Sequence, residues 1–143
     1  GGSGSTLALV VLLLVLGKKG SAERSIGKVS IIPGLFGINE PVTFGLPIVL
    51  NPIMFIPFVF VPVINAIIGY FATSWGLVNH LVVLNSGVEP IFVNAWVLGA
   101  FTLSPVILCI VLFILDLVLY YPFVKLQIKQ NTLEAQNEGA AVE

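Results

Sequence analysis

The chain has 143 residues, 57% of them hydrophobic and 9% charged, with a formal net charge of -1 and a mean hydropathy of +1.08. Soluble domains carry about 25% charged residues, so this is the composition of an integral membrane chain. Six basic residues in two short clusters make no patch wide enough for nucleic acid, and a single cysteine, Cys109, excludes a disulfide framework and a cysteine-rich metal site.

Taken in order, Gly1-Gly2-Ser3-Gly4-Ser5 has the composition of a flexible linker. Residues 5–16 then form an apolar helical run closed by Gly17. At 1.5 Å per residue this covers about 18 Å, a partial span against a hydrocarbon core of about 30 Å. Residues 18–28 hold four of the six basic residues, Lys18, Lys19, Arg24 and Lys28. They lack a phosphate-loop pattern, and the positive-inside rule places them in the cytoplasm.

Residues 33–47, Pro-Gly-Leu-Phe-Gly-Ile-Asn-Glu-Pro-Val-Thr-Phe-Gly-Leu-Pro, carry three prolines, three glycines and one carboxylate within an apolar setting. Freed backbone groups cannot be left facing lipid, so the segment is expected against protein or a wet cavity. A proline disfavours the helical region for the residue before it, which predicts an extended Glu40 and a helix opened by Pro41. An intramembrane carboxylate is a functional candidate by default; the alternative is a structural carboxylate paired with an arginine elsewhere.

Residues 52–78 are the longest uninterrupted apolar run, a span with tilt or kink, and Pro47, Pro52, Pro57 and Pro62 recur every five residues. Such repetition predicts bends around a cavity. Tyr70 and Trp75 suit the interface at its end. Residues 79–100 are too polar to span and read as an extracytoplasmic loop, with or without a partial re-entry, containing His80, Asn85, Gly87, Glu89, Asn94 and Trp96. His80 reads as a polar cap or a proton relay, and Trp96 as an interface anchor or a platform for a sugar ring.

Residues 101–123 are a second full span. Asp116 reads as a hydrogen-bonded structural carboxylate or a substrate contact, with Tyr120 four residues on and on the same face. Cys109, in an apolar setting, is a poor nucleophile. Lys125 and Lys129 mark a cytoplasmic end, and residues 124–143 read as a cytoplasmic tail, polar and without a packing pattern from Gln130 on. The two basic clusters should share a side, so an even number of crossings separates them. The spans at 52–78 and 101–123 supply two, which makes residues 26–50 a re-entrant hairpin with Glu40 near its tip. The fold class is therefore all-α: a polytopic membrane fragment with a re-entrant hairpin and two full transmembrane helices.

At such a tip Glu40 can accept two hydroxyl hydrogen bonds, and Asn39 supplies a donor and an acceptor. Phe36, Phe44 and Trp96 offer apolar faces. Polar pairs with aromatic platforms suit a neutral polyhydroxylated ligand better than an ion. The candidate substrate-binding residues are Glu40, Asn39, Trp96 and Phe44, with no catalytic residue, metal ligand or cofactor expected. Two other readings stay open: a proton-coupled carrier in which Glu40 titrates, and a truncated, non-transporting membrane scaffold.

Gly-Leu-Phe-Gly-Ile-Asn-Glu-Pro-Val-Thr-Phe-Gly-Leu-Pro-Ile-Val-Leu-Asn-Pro, residues 34–52, resembles the lactose/cellobiose-type permease component IIC of bacterial phosphotransferase systems. The likeness continues through Pro57-Phe58 and ends at Tyr120-Tyr121-Pro122-Phe123-Val124-Lys125. Almost the whole chain aligns, with the C-terminal part of that family's subunit. The resemblance implies a multi-pass protein of the bacterial inner membrane that carries a β-linked disaccharide of the cellobiose, lactose or chitobiose class. It also implies a homodimer and coupling to soluble components IIA and IIB, with the phosphoryl group coming from a cysteine of IIB, so that no nucleophile is needed here. It makes the opening glycines native sequence at a truncation point. A substrate-contacting histidine of the family lies upstream, and His80 does not match its place. The family's loop tryptophan is followed by a proline, whereas Val97-Leu98-Gly99 follows Trp96.

Overall fold

The computed structural model describes residues 2–80 and 89–141. Asn85 and Gly87, named above for the loop, lie outside the described residues. All regular structure among the described residues is helical: a 3-10 turn Ser3–Ser5, α1 (Thr6–Leu16), α2 (Ala22–Leu35), α3 (Glu40–Gly45), a 3-10 turn Ile48–Leu50, α4 (Pro52–Ser74), α5 (Ile91–Leu98) and α6 (Ser104–Ala141).

Helix α1 is apolar on every side, and a helix of that kind is stable only when surrounded. Leu7, Ala8, Leu9, Val10, Leu12 and Leu13 are buried, and α1 packs against both α2 and α6. The partial span of the sequence is thus the core helix of the described fold. Its close approach to α2 follows from the small residues Gly27, Ser30 and Gly34, spaced three and four apart on one face of α2. A Cβ on Gly27 would stand 3.0 Å from Leu14, and one on Gly34 would stand 3.3 Å from Leu7.

Between α1 and α2, Arg24 Nη1 donates to the Gly17 carbonyl at 3.1 Å, and Ser21 caps α2 by accepting from the Arg24 N–H. Pro33 is accommodated inside α2, which stops at Leu35. Gly37 and Ile38 close the turn on the carbonyls of Gly34 and Pro33, and α3 begins at Glu40 with Pro41 in its first turn. Glu40 is therefore the first helical residue and not an extended one. The reason is that Asn39 accepts the Thr43 N–H and starts the helix one residue ahead of the proline. Helix α3 returns beside α2, since a Cβ on Gly45 would meet Ile26 at 3.0 Å. Asn51 then caps α4, its Oδ1 accepting from the N–H groups of Ile53 and Met54.

Both feet of this rise and return are tied to α6. Asn131 Nδ2 donates to Glu23 Oε1 at 2.7 Å, and Asn51 Nδ2 donates to Gln127 Oε1 at 2.6 Å. Gln127 and Asn131 are one turn apart and bonded to each other at 2.8 Å. Residues 23 and 51 consequently lie at the same end of the molecule, with the turn at 36–39 between them at the other extreme of α2.

Helices α4 and α6 are each long and apolar enough to cross a membrane. At 23 residues α4 is about 34 Å long. Phe55, Phe60 and Ile67 on α4, and Ile107, Ile114 and Val118 on α6, are exposed apolar side chains of the kind a lipid face needs. Two boundaries differ from the sequence reading. The first span stops at Ser74 and not at Val78, because Gly76 takes a left-handed conformation (φ 71°) and donates back to the Thr73 carbonyl, ending the helix. The second begins at Ser104 and runs to Ala141, so the expected tail is helical. Residues 124–137 are rich in Lys, Leu, Gln, Glu and Ala, which are good helix formers, and the Gln127–Asn131 pair ties that stretch to α2 and α4. The expected loop at 79–100 contains α5, which packs on α6.

Candidate functional site

The site is built from the middle of the helices upward. Asn65 lies thirteen residues beyond Pro52 on α4, about 20 Å from the end where the basic residues gather. Asp116 lies fifteen residues before Asn131 on α6, about 22 Å from the same end. At this shared depth Asn65 Nδ2 donates to Asp116 Oδ1 at 2.7 Å and to Ser5 Oγ at 3.1 Å. Asp116 is 6% exposed and Tyr120 is fully buried. The Tyr120 hydroxyl, one turn below Asp116, donates to the Gly4 carbonyl. The 3-10 turn at the start of the chain is thus held by both long helices.

The turn between α2 and α3 rests on that same 3-10 turn. Asn39 Nδ2 donates to the Ser3 carbonyl at 2.8 Å. Gly2 sits so close to Gly37 that a Cβ on it would stand 2.4 Å from the Gly37 carbonyl oxygen. Directly after Asn39, Glu40 is exposed, and its side chain carries no hydrogen bond among the described residues. Its carboxylate is therefore free to accept from an incoming donor.

A cavity of about 530 Å³ opens beside this arrangement, between α4, α5 and α6. Phe36 and Gly37 reach it from the turn, Asn65 and Asp116 from the long helices, and Asn94 from α5. Asn65 Oδ1 is buried with no hydrogen-bond partner among the described residues.

The four residues singled out from sequence divide as follows. Asn39 and Glu40 stand together at the start of α3. Phe44, one turn on, is 78% exposed. Trp96 stands apart on α5, where its Nε1–H donates to the Phe101 carbonyl at 3.0 Å and its ring meets the Phe101 ring edge-on at 5.0 Å. None of the four lines the cavity. His80 lies beyond the end of α4 and is exposed. Asp116 is buried, is hydrogen-bonded by Asn65 and also reaches the cavity wall.

Sequence reasoning passed over Ser5, Gly4 and Asn65. The available signal for Asn65 was an amide standing alone between Asn51 and Thr73, within a stretch from Pro41 to Val88 that carries no charge. No group of three or more His, Cys, Asp or Glu side chains converges among the described residues.

Comparison with known proteins gives concordant findings. Residues 1–62 match the model of the family described as "Phosphotransferase system, EIIC". The chain is 41% identical over 134 residues to a cellobiose-specific EIIC component of Lactococcus lactis subsp. lactis (strain IL1403), covering 94% of this chain and 26% of that one. It is 40% identical over 140 residues to a lactose-specific EIICB component of Lactococcus lactis subsp. lactis, covering 97% and 24%. Among solved structures, it is similar to the crystal structure of the transporter ChbC, the IIC component from the N,N'-diacetylchitobiose-specific phosphotransferase system. The TM-score is 0.82 at 45% identity, over 94% of this chain and 31% of ChbC. The chain spans about a quarter of the length of the curated relatives it matches. In sequence and in fold, nearly the whole of this chain is related to one portion of the EIIC membrane components of the phosphotransferase system.

Proposed function

We propose that this chain is part of a phosphotransferase-system sugar permease, a IIC component, that binds and translocates a β-linked disaccharide of the cellobiose, lactose or chitobiose class. The observation that carries the reading is the likeness to cellobiose- and diacetylchitobiose-specific IIC components over 94% of the chain. Phosphorylation of the sugar falls to a soluble IIB component, supplied in turn by IIA, and the intact subunit works as a homodimer in the bacterial inner membrane. The turn at residues 36–39, with both of its feet at the basic end, supports a hairpin that enters the bilayer and returns to the same face.

Glu40 and Asn39 are the proposed sugar contacts, with Phe44 and Trp96 as apolar faces. Glu40 is the first residue past the hairpin tip, has an unengaged carboxylate, and follows a residue whose side chain is anchored. A carboxylate held in that way accepts two hydroxyl hydrogen bonds with strength that neutral acceptors lack.

The test is Glu40→Gln in the intact subunit, with binding of cellobiose, lactose and N,N'-diacetylchitobiose followed by calorimetry. Bonds to charged groups contribute about 1.5–3 kcal/mol, so affinity for the preferred sugar should fall roughly ten- to a hundredfold while the protein stays folded. Glu40→Asp should also fail, because the shorter stem withdraws the carboxylate. Unchanged affinity in both variants would remove Glu40 from the site.

A further inference from the structure

Three consecutive residues at the start of the chain are each gripped by a side chain from a different element. The Ser3 carbonyl accepts from Asn39 in the hairpin turn, the Gly4 carbonyl from Tyr120 on α6, and Ser5 Oγ from Asn65 on α4. Asn65 is itself held by Asp116 on α6. Gly4 is buried in a left-handed conformation (φ 79°), and a Cβ there would fall 2.3 Å from the Phe58 ring of α4. Few residues could occupy this spot, and the turn has little freedom to move on its own.

The hairpin tip is otherwise closed on itself. Phe36, Gly37 and Ile38 bond to carbonyls of α2, and Thr43 bonds to the Asn39 carbonyl. The Asn39–Ser3 bond ties the tip to another element. The start of α3, and with it the direction of the Glu40 carboxylate, follows from where Asn39 is held. That point is fixed by the glycine turn, and the turn by Tyr120, Asn65 and Asp116.

We propose that Tyr120, Asn65 and Asp116 are positioning residues for sugar recognition: they set the carboxylate of Glu40 through the glycine turn and touch no sugar themselves. This rests on Glu40 being the sugar contact. Positioning matters because a carboxylate displaced by a fraction of an ångström loses the geometry of two simultaneous hydroxyl bonds.

The test is a set of variants in the intact subunit, each measured for disaccharide affinity and for thermal unfolding. Tyr120→Phe removes one hydroxyl and keeps the buried ring. It should weaken binding about three- to tenfold, the loss of one hydrogen bond's worth of positioning. In an Asn39→Ala background, where the tip is already released, the same substitution should change affinity less than about twofold, since coupled residues do not add. Asp116→Asn keeps an oxygen to accept from Asn65 and should bind nearly as the parent does, whereas Asp116→Ala should bind several-fold more weakly. A purely structural role would lower the unfolding temperature and leave the affinity of the folded protein unchanged. If Glu40→Gln weakens binding while Tyr120→Phe and Asp116→Ala do not, the positioning role is overturned and Glu40 remains the contact. If Glu40→Gln has no effect, the sugar-site reading falls and this inference falls with it.

Discussion

Asn131 of α6 donates its side-chain N–H to the Glu23 carboxylate of α2 at 2.7 Å, across 108 residues of chain. Glu23 is 7% exposed and has no basic partner among the described residues, so amides and hydroxyls carry its charge. The bond also sets Lys18, Lys19, Arg24 and Lys28 at the same end of the molecule as Lys125 and Lys129, which is what a shared cytoplasmic side requires.

The first prediction concerns acid. Burial pushes the Glu23 carboxyl up, but hydrogen bonds from Asn131, from its own backbone and from Ser21 outweigh it, and the net shift is downward. A carboxylate lowered on folding stabilises the protein above its unfolded value, and that stability is lost as pH falls through the folded value. Thermal unfolding in detergent should therefore weaken below the usual carboxylate range. Glu23→Gln should flatten that acid-side slope, and Glu23→Ala, which strands the Asn131 amide, should cost about 1–3 kcal/mol at neutral pH. An acid slope unchanged by Glu23→Gln would assign it to other carboxylates.

A second prediction tests the seam between α1 and α2. Gly27→Val places a branched side chain where even a Cβ stands 3.0 Å from Leu14, and overpacking of this sort costs about 1–3 kcal/mol. Gly20→Ala, at a position with open space but φ 85°, serves as the comparison, because its cost comes from the backbone and not from α1. Equal stability of Gly27→Val and the parent would mean that the helices are farther apart than described.

Trp96 supplies a third. Its indole N–H is spent on the Phe101 carbonyl in a turn where Ala100 and Phe101 both have positive φ. Trp96→Phe retains an aromatic face and loses that bond. Sugar affinity should stay within about twofold, and stability should fall by about 0.5–1.5 kcal/mol. A large loss of affinity with intact stability would show that the N–H serves the ligand.

Sidedness is the fourth. In an intact subunit with Cys109 replaced by Ala, single cysteines at Lys28 and at Leu50 should react with an impermeant thiol reagent from the same face of a vesicle. Labelling from opposite faces would turn the rise and return of residues 23–51 into a crossing.

How much of this was legible depends on distance along the chain. Composition separates the two long helices from everything else, because length and apolarity are local properties. Proline and glycine locate the interruption after Leu35, since they act on their own backbone. Lys125 and Lys129 read as a cytoplasmic end because charge closes a span, yet the helix-forming residues that follow and the Gln127–Asn131 pair carry α6 on. The run around Asp116 leaves a structural carboxylate and a substrate contact both open, because its partner Asn65 lies 51 residues away. Likewise helical periodicity puts Tyr120 on the face of Asp116, while its hydroxyl goes to Gly4, which no periodicity can reveal.

The Tyr120–Gly4 bond has a consequence for assembly. Gly4 leaves the ribosome 116 residues ahead of Tyr120. The glycine turn is made before α6 and lacks its partner until α6 has been inserted, so until then the tip carrying Glu40 rests on an unfastened support. Maturation of the site should accordingly lag behind insertion of the helices, and a chain stopped before Tyr120 would hold the Asn-Glu-Pro signature without the means to fix it in place.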